Sequence, residues 1–219
     1  MVRFDLPGAG LTGTDPTGDY TDARSLAVLR ALLDALDIAQ AHVAGHSIGG
    51  RIAWKLAALD PARVLRLVLI APDGFQSLIF RYGRRTRVPV IFRIAEHLLP
   101  RSLVRMALVQ AYGDRTAVTE ALVTRYHDLL RAPGVREASL ARLAQTVLEP
   151  PEPLLRRIEA PTLLLWGERD NIIPARHAGA YLRVMRTAKA VLLPGVGHLP
   201  HEEAPSASLA AVRTFLSAA

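Results

Sequence analysis

Cysteine is absent from the 219 residues, so neither a disulfide framework nor a thiolate metal site is open to this chain. Lysine is almost absent as well. Lys55 and Lys189 stand alone, and the formal net charge of +7 is carried by arginine. Acidic residues are interleaved with those arginines through most of the sequence. A nucleic-acid face would instead cluster its cations to displace counterions from phosphates, so no nucleic-acid partner is expected. The one locally basic stretch, RYGRRTRVPVIFR from Arg81 to Arg93, reads as a solvated connector rather than as a contact for an anionic partner or lipid surface. Long apolar runs are missing too. The longest, VPVIFRIAEHLL, carries Arg93 and Glu96 and falls short of the ~20 residues of a membrane span. The first residues show no charged region followed by an apolar one. Together with the lack of cysteine, this sets the expectation of a cytoplasmic enzyme.

What is present is ample for a core, since 50% of the residues are hydrophobic, and disorder is excluded. In MVRFDLPGAG, Val2, Phe4 and Leu6 alternate with Arg3 and Asp5, which predicts a β-strand left through a Pro7-Gly8 turn. Asp19 to Asp37 reads as a helix with an apolar stripe of Leu26, Leu29, Leu32, Leu33 and Leu36. AHVAG reads as a strand, IGGRIAWKLAALD as a helix closed by Pro61, and RVLRLVLIAP as a buried strand of the continuous apolar kind found in parallel sheets. From Asp73 to about Pro153 the pattern turns helical and Arg-rich, broken at Gly83, Pro89, Pro100, Gly113 and Pro133-Gly134, with no strand-like alternation. The strand-helix rhythm then resumes. APTLLLWG is a strand, Pro174 to Met185 a helix, AKAVLLPG a strand and Glu203 to Leu216 a helix. The expectation is an α/β fold, a mostly parallel sheet flanked by helices, with a helical segment inserted between two strands. Residues 1–73 and 154–219 form the core and 74–153 the insertion.

Gly45-His46-Ser47-Ile48-Gly49-Gly50 lies where a strand turns directly into a helix. A serine at the tip of such a turn needs small residues on either side, because strand and helix backbones crowd there, and Gly45 and Gly49 are read in that role. The turn lifts the Ser47 hydroxyl above the sheet and sets the Ile48 amide at a helix N-terminus, suited to a developing oxyanion. The competing reading is Ser47 as an ordinary N-cap. A serine nucleophile needs an imidazole to take its proton and a carboxylate to orient that imidazole. Asp170 follows the strand TLLLWG, and His198 follows the next strand in PGVGHLPHEE. Both would gather with Ser47 at the edge of the sheet where open α/β folds hold their ligands. His201 rivals His198, and Asp73, just past an earlier strand, rivals Asp170. His46 reads as a pocket wall. HLPHEE is not read as a metal site, since no second His/Glu cluster supports it and H-E-x-x-H is absent. No cofactor is called for. His42, His97, His127 and His177 read as structural or surface residues.

These segments resemble the α/β-hydrolase fold family. RFDLPGAG resembles its fourth strand and turn, VAGHSIGG its nucleophile elbow, LLLWGERDNIIP its acid-bearing segment and GVGHLPHEEAP its histidine loop. The insertion resembles its cap. The resemblance favours His198 over His201 and Asp170 over Asp73, and implies Ser47, His198 and Asp170 as a catalytic triad with Ile48 in the oxyanion hole. Relatives that open epoxides or remove halide carry an aspartate at the elbow, so Ser47 points to hydrolysis of a small-molecule carboxylic ester or related acyl substrate. Carbon–carbon hydrolysis of ring-fission products is the alternative, since such anionic substrates would suit an Arg-rich cap. The family's first three strands, and a His-Gly segment that supplies a second oxyanion N–H, have no counterpart here. A missing third strand would remove about five buried side chains, or around 10 kcal/mol at ~1.5–3 kcal/mol each. On this reading Met1 is not the natural start of a complete enzyme. About 50 to 70 further residues are expected upstream, enough for two or three strands and their connections. A catalytically impaired fragment or a ligand-binding module is the non-enzymatic reading.

Overall fold

A computed structural model of the chain describes residues 1–76, 81–85 and 98–218. It divides into two compact units. One comprises Ala31–Phe75, Val109–Ala117 and Pro150–Ala219, the other Met1–Arg30, Gln76–Leu108 and Val118–Glu149.

The first unit holds the sheet. Among the described residues it has four strands, β1 (Ala41–His46), β2 (Val64–Ile70), β3 (Thr162–Gly167) and β4 (Ala188–Leu193), in the order β1-β2-β3-β4. Every pairing is parallel. The six residues of β3 are all buried, as a central parallel strand covered on both faces requires. Helix α2 (Ile48–Leu59) packs on β1 and β2, and the one-turn α6 (Glu152–Leu155) packs on α2. The buried side chains of α2 include Ile52, Trp54 and Leu56. On the other side of the sequence rhythm, α7 (Arg176–Val184) packs on β4 and α9 (Pro205–Ser217) on β3 and β4. Leu165, Leu193 and Val196 make a buried cluster against Ala204, Ala211 and Val212. The final helix, expected unbroken from Glu203, is instead two: α8 (Pro200–Glu203) and α9, separated at Ala204 with φ −136° and ψ 63°. Ala204 precedes Pro205, whose ring disfavours the helical conformation in the residue before it.

The second unit contains α3 (Arg101–Ala111) up to Leu108, α4 (Glu120–Leu130), α5 (Val135–Gln145) and the first part of α1 (Asp22–Ala35). Of the stripe read for α1, Leu26, Leu29 and Leu33 are buried, whereas Leu36 lies past the helix end and is 45% exposed. Two isolated bridges, Tyr82 with Leu148 and Arg85 with Val147, lie where no extended pairing was expected. The connector arginines Arg81, Arg84 and Arg85 are exposed. The rest of that stretch, with Pro89 and His97, lies outside the described residues.

The opening strand does not form. Residues 1–5 are exposed and 1–6 carry no regular structure. Their alternation satisfies the local requirement of a strand, but a strand exists through hydrogen bonds to a neighbour, and among the described residues none is supplied. The turn after it does form, with Ala9 N–H donating to the Leu6 carbonyl at 2.9 Å and Gly8 at φ 77°. From Pro7 onward the segment is held by α5. The buried Arg142 donates to the Pro7 carbonyl at 2.6 Å and to Ser25 Oγ at 3.1 Å. Gln145 accepts from Tyr20 N–H at 2.7 Å and donates to the Gly18 carbonyl at 2.9 Å.

Candidate active site

The site is built in the sheet-bearing unit, where the four strands end. Ser47 follows β1, Asp73 follows β2, Asp170 follows β3 and His198 follows β4. Because the strands are parallel, the loops after them share one edge.

Ser47 has φ 52° and ψ −119°, in a region that L-residues rarely occupy. Three backbone hydrogen bonds fix this elbow: Ser47 N–H donates to the Ile70 carbonyl at 3.0 Å, while the Ser47 carbonyl accepts from Asp73 at 3.0 Å and from Arg51 at 3.1 Å. The hydroxyl makes no capping hydrogen bond, so the N-cap role is not the one this serine plays. Sequence spacing assigned the crowding to Gly45 and Gly49. A Cβ at Gly45 would indeed overlap the Gly49 carbonyl, but one at Gly49 would meet nothing, and it is Gly50 that abuts Pro72. Ile48 opens α2, so its N–H has no intrahelical acceptor and lies at the positive end of the helix dipole.

Asp170 is buried with both carboxylate oxygens engaged. Oδ1 accepts from the backbone N–H groups of Ile172 and Ile173, both at 2.8 Å. Oδ2 accepts from Trp166 Nε1 at 3.2 Å and meets His198 Nδ1 at 2.8 Å. With Nδ1–H donating to Asp170, Nε2 of a neutral His198 is left as the acceptor, the form a general base requires. His198 is itself buried, 6% exposed. Of the two histidine candidates it is the one that meets Asp170. His201 is exposed, with its ring 4.9 Å from that of His46.

Asp73, the rival acid, is committed elsewhere. Its carboxylate pairs with Arg51, and both side chains are buried. Its carbonyl accepts from Trp54 Nε1 at 3.1 Å and from the Tyr181 hydroxyl at 3.0 Å. Arg51, Trp54 and Trp166 were not singled out in the sequence. The signal available was thin, an arginine on the otherwise apolar face of the helix after the elbow.

His46, expected as a pocket wall, is tied to the histidine loop. Its Nε2 lies 2.8 Å from the His198 carbonyl, and its ring is 4.7 Å from the His198 ring. Burial first, then the neighbouring His198 and His201, push its pKa down to about 3. It is therefore neutral, with Nε2–H as the donor. The contact brings the elbow and the histidine loop together. Among the described residues no hydrogen bond joins Ser47 to His198. Of the remaining histidines, His42 is exposed, His127 is buried against the Leu99 carbonyl at 3.1 Å and His177 stacks edge-on with Phe75. No group of three or more His, Cys, Asp or Glu among the described residues is arranged to hold a metal ion.

A family model described as alpha/beta hydrolase fold matches residues 1–205. The dihydrolipoyllysine-residue acetyltransferase component of the acetoin cleaving system of Pseudomonas putida is 35% identical over 208 residues, covering 93% of this chain but only 52% of that protein. The chain thus spans about half the length of this relative. The 2-hydroxy-6-oxononadienedioate/2-hydroxy-6-oxononatrienedioate hydrolase of Comamonas testosteroni is 26% identical over 204 residues, covering 90% of this chain and 70% of that one. Among solved structures, the meta-cleavage product hydrolase of Pseudomonas fluorescens IP01 superposes with a TM-score of 0.82 at 21% identity, over 97% of this chain and 77% of that one.

Proposed function

Since the chain belongs to the α/β-hydrolase fold family, we propose that it is a serine hydrolase of carboxylic esters or related acyl compounds. In this reading Ser47 is the nucleophile, His198 the general base, Asp170 its orienting acid, and the Ile48 N–H an oxyanion donor. The observation that carries the reading is the 2.8 Å contact between His198 Nδ1 and Asp170 Oδ2, on loops at the same sheet edge as the strained Ser47. Ser47 Oγ attacks the substrate carbonyl as His198 Nε2 takes its proton, and the oxyanion of the tetrahedral intermediate lies at Ile48. His198 then protonates the departing alcohol, leaving an acyl-serine that water hydrolyses by the same route. Substrate must close the Ser47–His198 link, as catalytic hydrogen bonds of free enzymes often tighten only in the complex. The insertion between β2 and β3 serves as the cap in this reading.

Turnover of a short-chain nitrophenyl ester and labelling by a fluorophosphonate test it. Ser47→Ala should abolish both, lowering kcat by a factor approaching ~10⁶. An unmodified protein that neither turns over the ester nor takes the label would instead favour a ligand-binding or catalytically impaired chain.

The similarity to the Comamonas testosteroni hydrolase favours one second reading, hydrolysis of a carbon–carbon bond in a 2-hydroxy-6-oxo-dienoate. A kcat/KM on such a substrate well above that on the ester would select it.

A further inference from the structure

Glu203 plays no part in the chemistry above, yet its carboxylate gathers backbone N–H groups from both sides of His198. Gly197 N–H donates to it at 2.9 and 3.0 Å, Leu199 N–H at 3.1 Å, and Gly113 N–H, from the segment after α3, at 2.7 Å. Between them, His198 N–H donates to the Ala111 carbonyl at 2.6 Å. The consecutive amides 197 to 199 are thus all tied down, two of them to one side chain.

The loop needs such an anchor. Gly195 stands at φ 74°, and a Cβ at Gly197 would overlap the Ala111 carbonyl. Glycine is therefore imposed by close approach of the two backbones, and the same glycines leave the loop more conformational freedom than any other residue would. Hydrogen bonds to an ionised acceptor are roughly twice as strong as neutral ones, so Glu203 is placed to remove that freedom. A helix cap would explain less. The Leu199 bond matches a capping role for α8, but Gly197 and Gly113 lie outside that four-residue helix. The adjacent Glu202 makes a different contact, accepting from the Tyr112 hydroxyl at 3.2 Å.

We infer that Glu203 is a positioning residue for the reaction: by fixing the peptides that flank His198 it holds the imidazole against Asp170 and in line with Ser47. The inference rests on the reading of His198 as the base. A misplacement of ~1 Å in a reacting group costs about 10² in rate, which sets the expected effect.

The test compares Glu203→Ala, the isosteric Glu203→Gln and the control Glu202→Gln in the full chain, each checked by thermal melting to be folded at the assay temperature. Expected for Glu203→Ala is a loss of about 10² in kcat on the nitrophenyl ester with KM little changed, and an equal loss in fluorophosphonate labelling. The downfield imidazole N–H proton resonance shared by His198 and Asp170 should broaden. Glu203→Gln, which keeps one acceptor oxygen, should recover part of the rate, and Glu202→Gln should behave as the parent. The proton resonance reads the imidazole's position without turnover. A folded Glu203→Ala with parental kcat and an unchanged resonance overturns the proposal. So does insolubility of both Glu203 variants, which would make the residue a support of the fold alone. Ser47→Ala separates the two levels: if it keeps turnover, the reading of the site falls and this inference with it; if it loses turnover while Glu203→Ala does not, only this inference falls.

Discussion

His46 stays uncharged in the folded protein down to a pH of about 3, against an ordinary value of 6.5. In the unfolded chain it takes a proton as pH falls below 6.5, so the unfolded state binds more protons and stability declines between about pH 6.5 and about pH 3. His46→Gln, which keeps an N–H donor for the His198 carbonyl, should flatten this decline. Melting temperatures at pH 7 and pH 4.5 check it, the parent losing more than the variant. Asp170→Asn should leave the fold intact while favouring the wrong tautomer of His198, lowering kcat by about 10⁴. At this scale the sequence was informative where a residue type in a turn has few uses, as with Ser47 after β1. It read His46 only as a pocket wall and was silent on Glu203. The bond of His46 to the His198 carbonyl depends on where two loops meet, and the span from 46 to 198 has no signature in local pattern.

α2 and the end of β2 are joined through a buried ion pair, Arg51 with Asp73. Removing one partner strands a charge away from water, so Asp73→Asn should cost about 3–5 kcal/mol in denaturant unfolding. Its kcat should fall by no more than about tenfold, far less than for Asp170→Asn. Replacing both, Arg51→Met with Asp73→Leu, should cost less than either alone, because no orphan charge remains. A large kcat loss in folded Asp73→Asn would return Asp73 to contention as the acid. Elements with a strong period were legible. TLLLWG became a fully buried β3 and IGGRIAWKLAAL became α2, because continuous or helical apolar spacing admits few other burials. Boundaries were less so. The break at Ala204 follows from Pro205, a stop signal the apolar spacing of the last helix obscured.

Across the whole chain, the largest departure from the sequence reading lies at its opening. The alternation of Val2, Phe4 and Leu6 is real, but pairing is a property of two segments and alternation of one. Residues 1–30 group with residues 76–108 and 118–149 instead, tied to α5 through Arg142 and Gln145, whose partners are 117 to 135 residues away. No periodicity reports a bond of that span. Arg142→Ala should release this segment, raising amide hydrogen exchange across residues 7–25, read by mass spectrometry on peptides; unchanged exchange there would show that other contacts hold it. The sheet has a consequence of another kind. β2 and β3 are hydrogen-bonded neighbours, Ile70 beside Leu165, although among the described residues the chain leaves the sheet after one and returns at the other. Closing a flexible loop costs only ~0.6 kcal/mol more for each doubling of its length, so the register of these two strands sets almost no limit on what lies between them. In evolutionary terms this junction is a cassette slot, where a lineage can exchange one insert for another while the loops that carry Ser47, Asp170 and His198 keep their places at the ends of the strands.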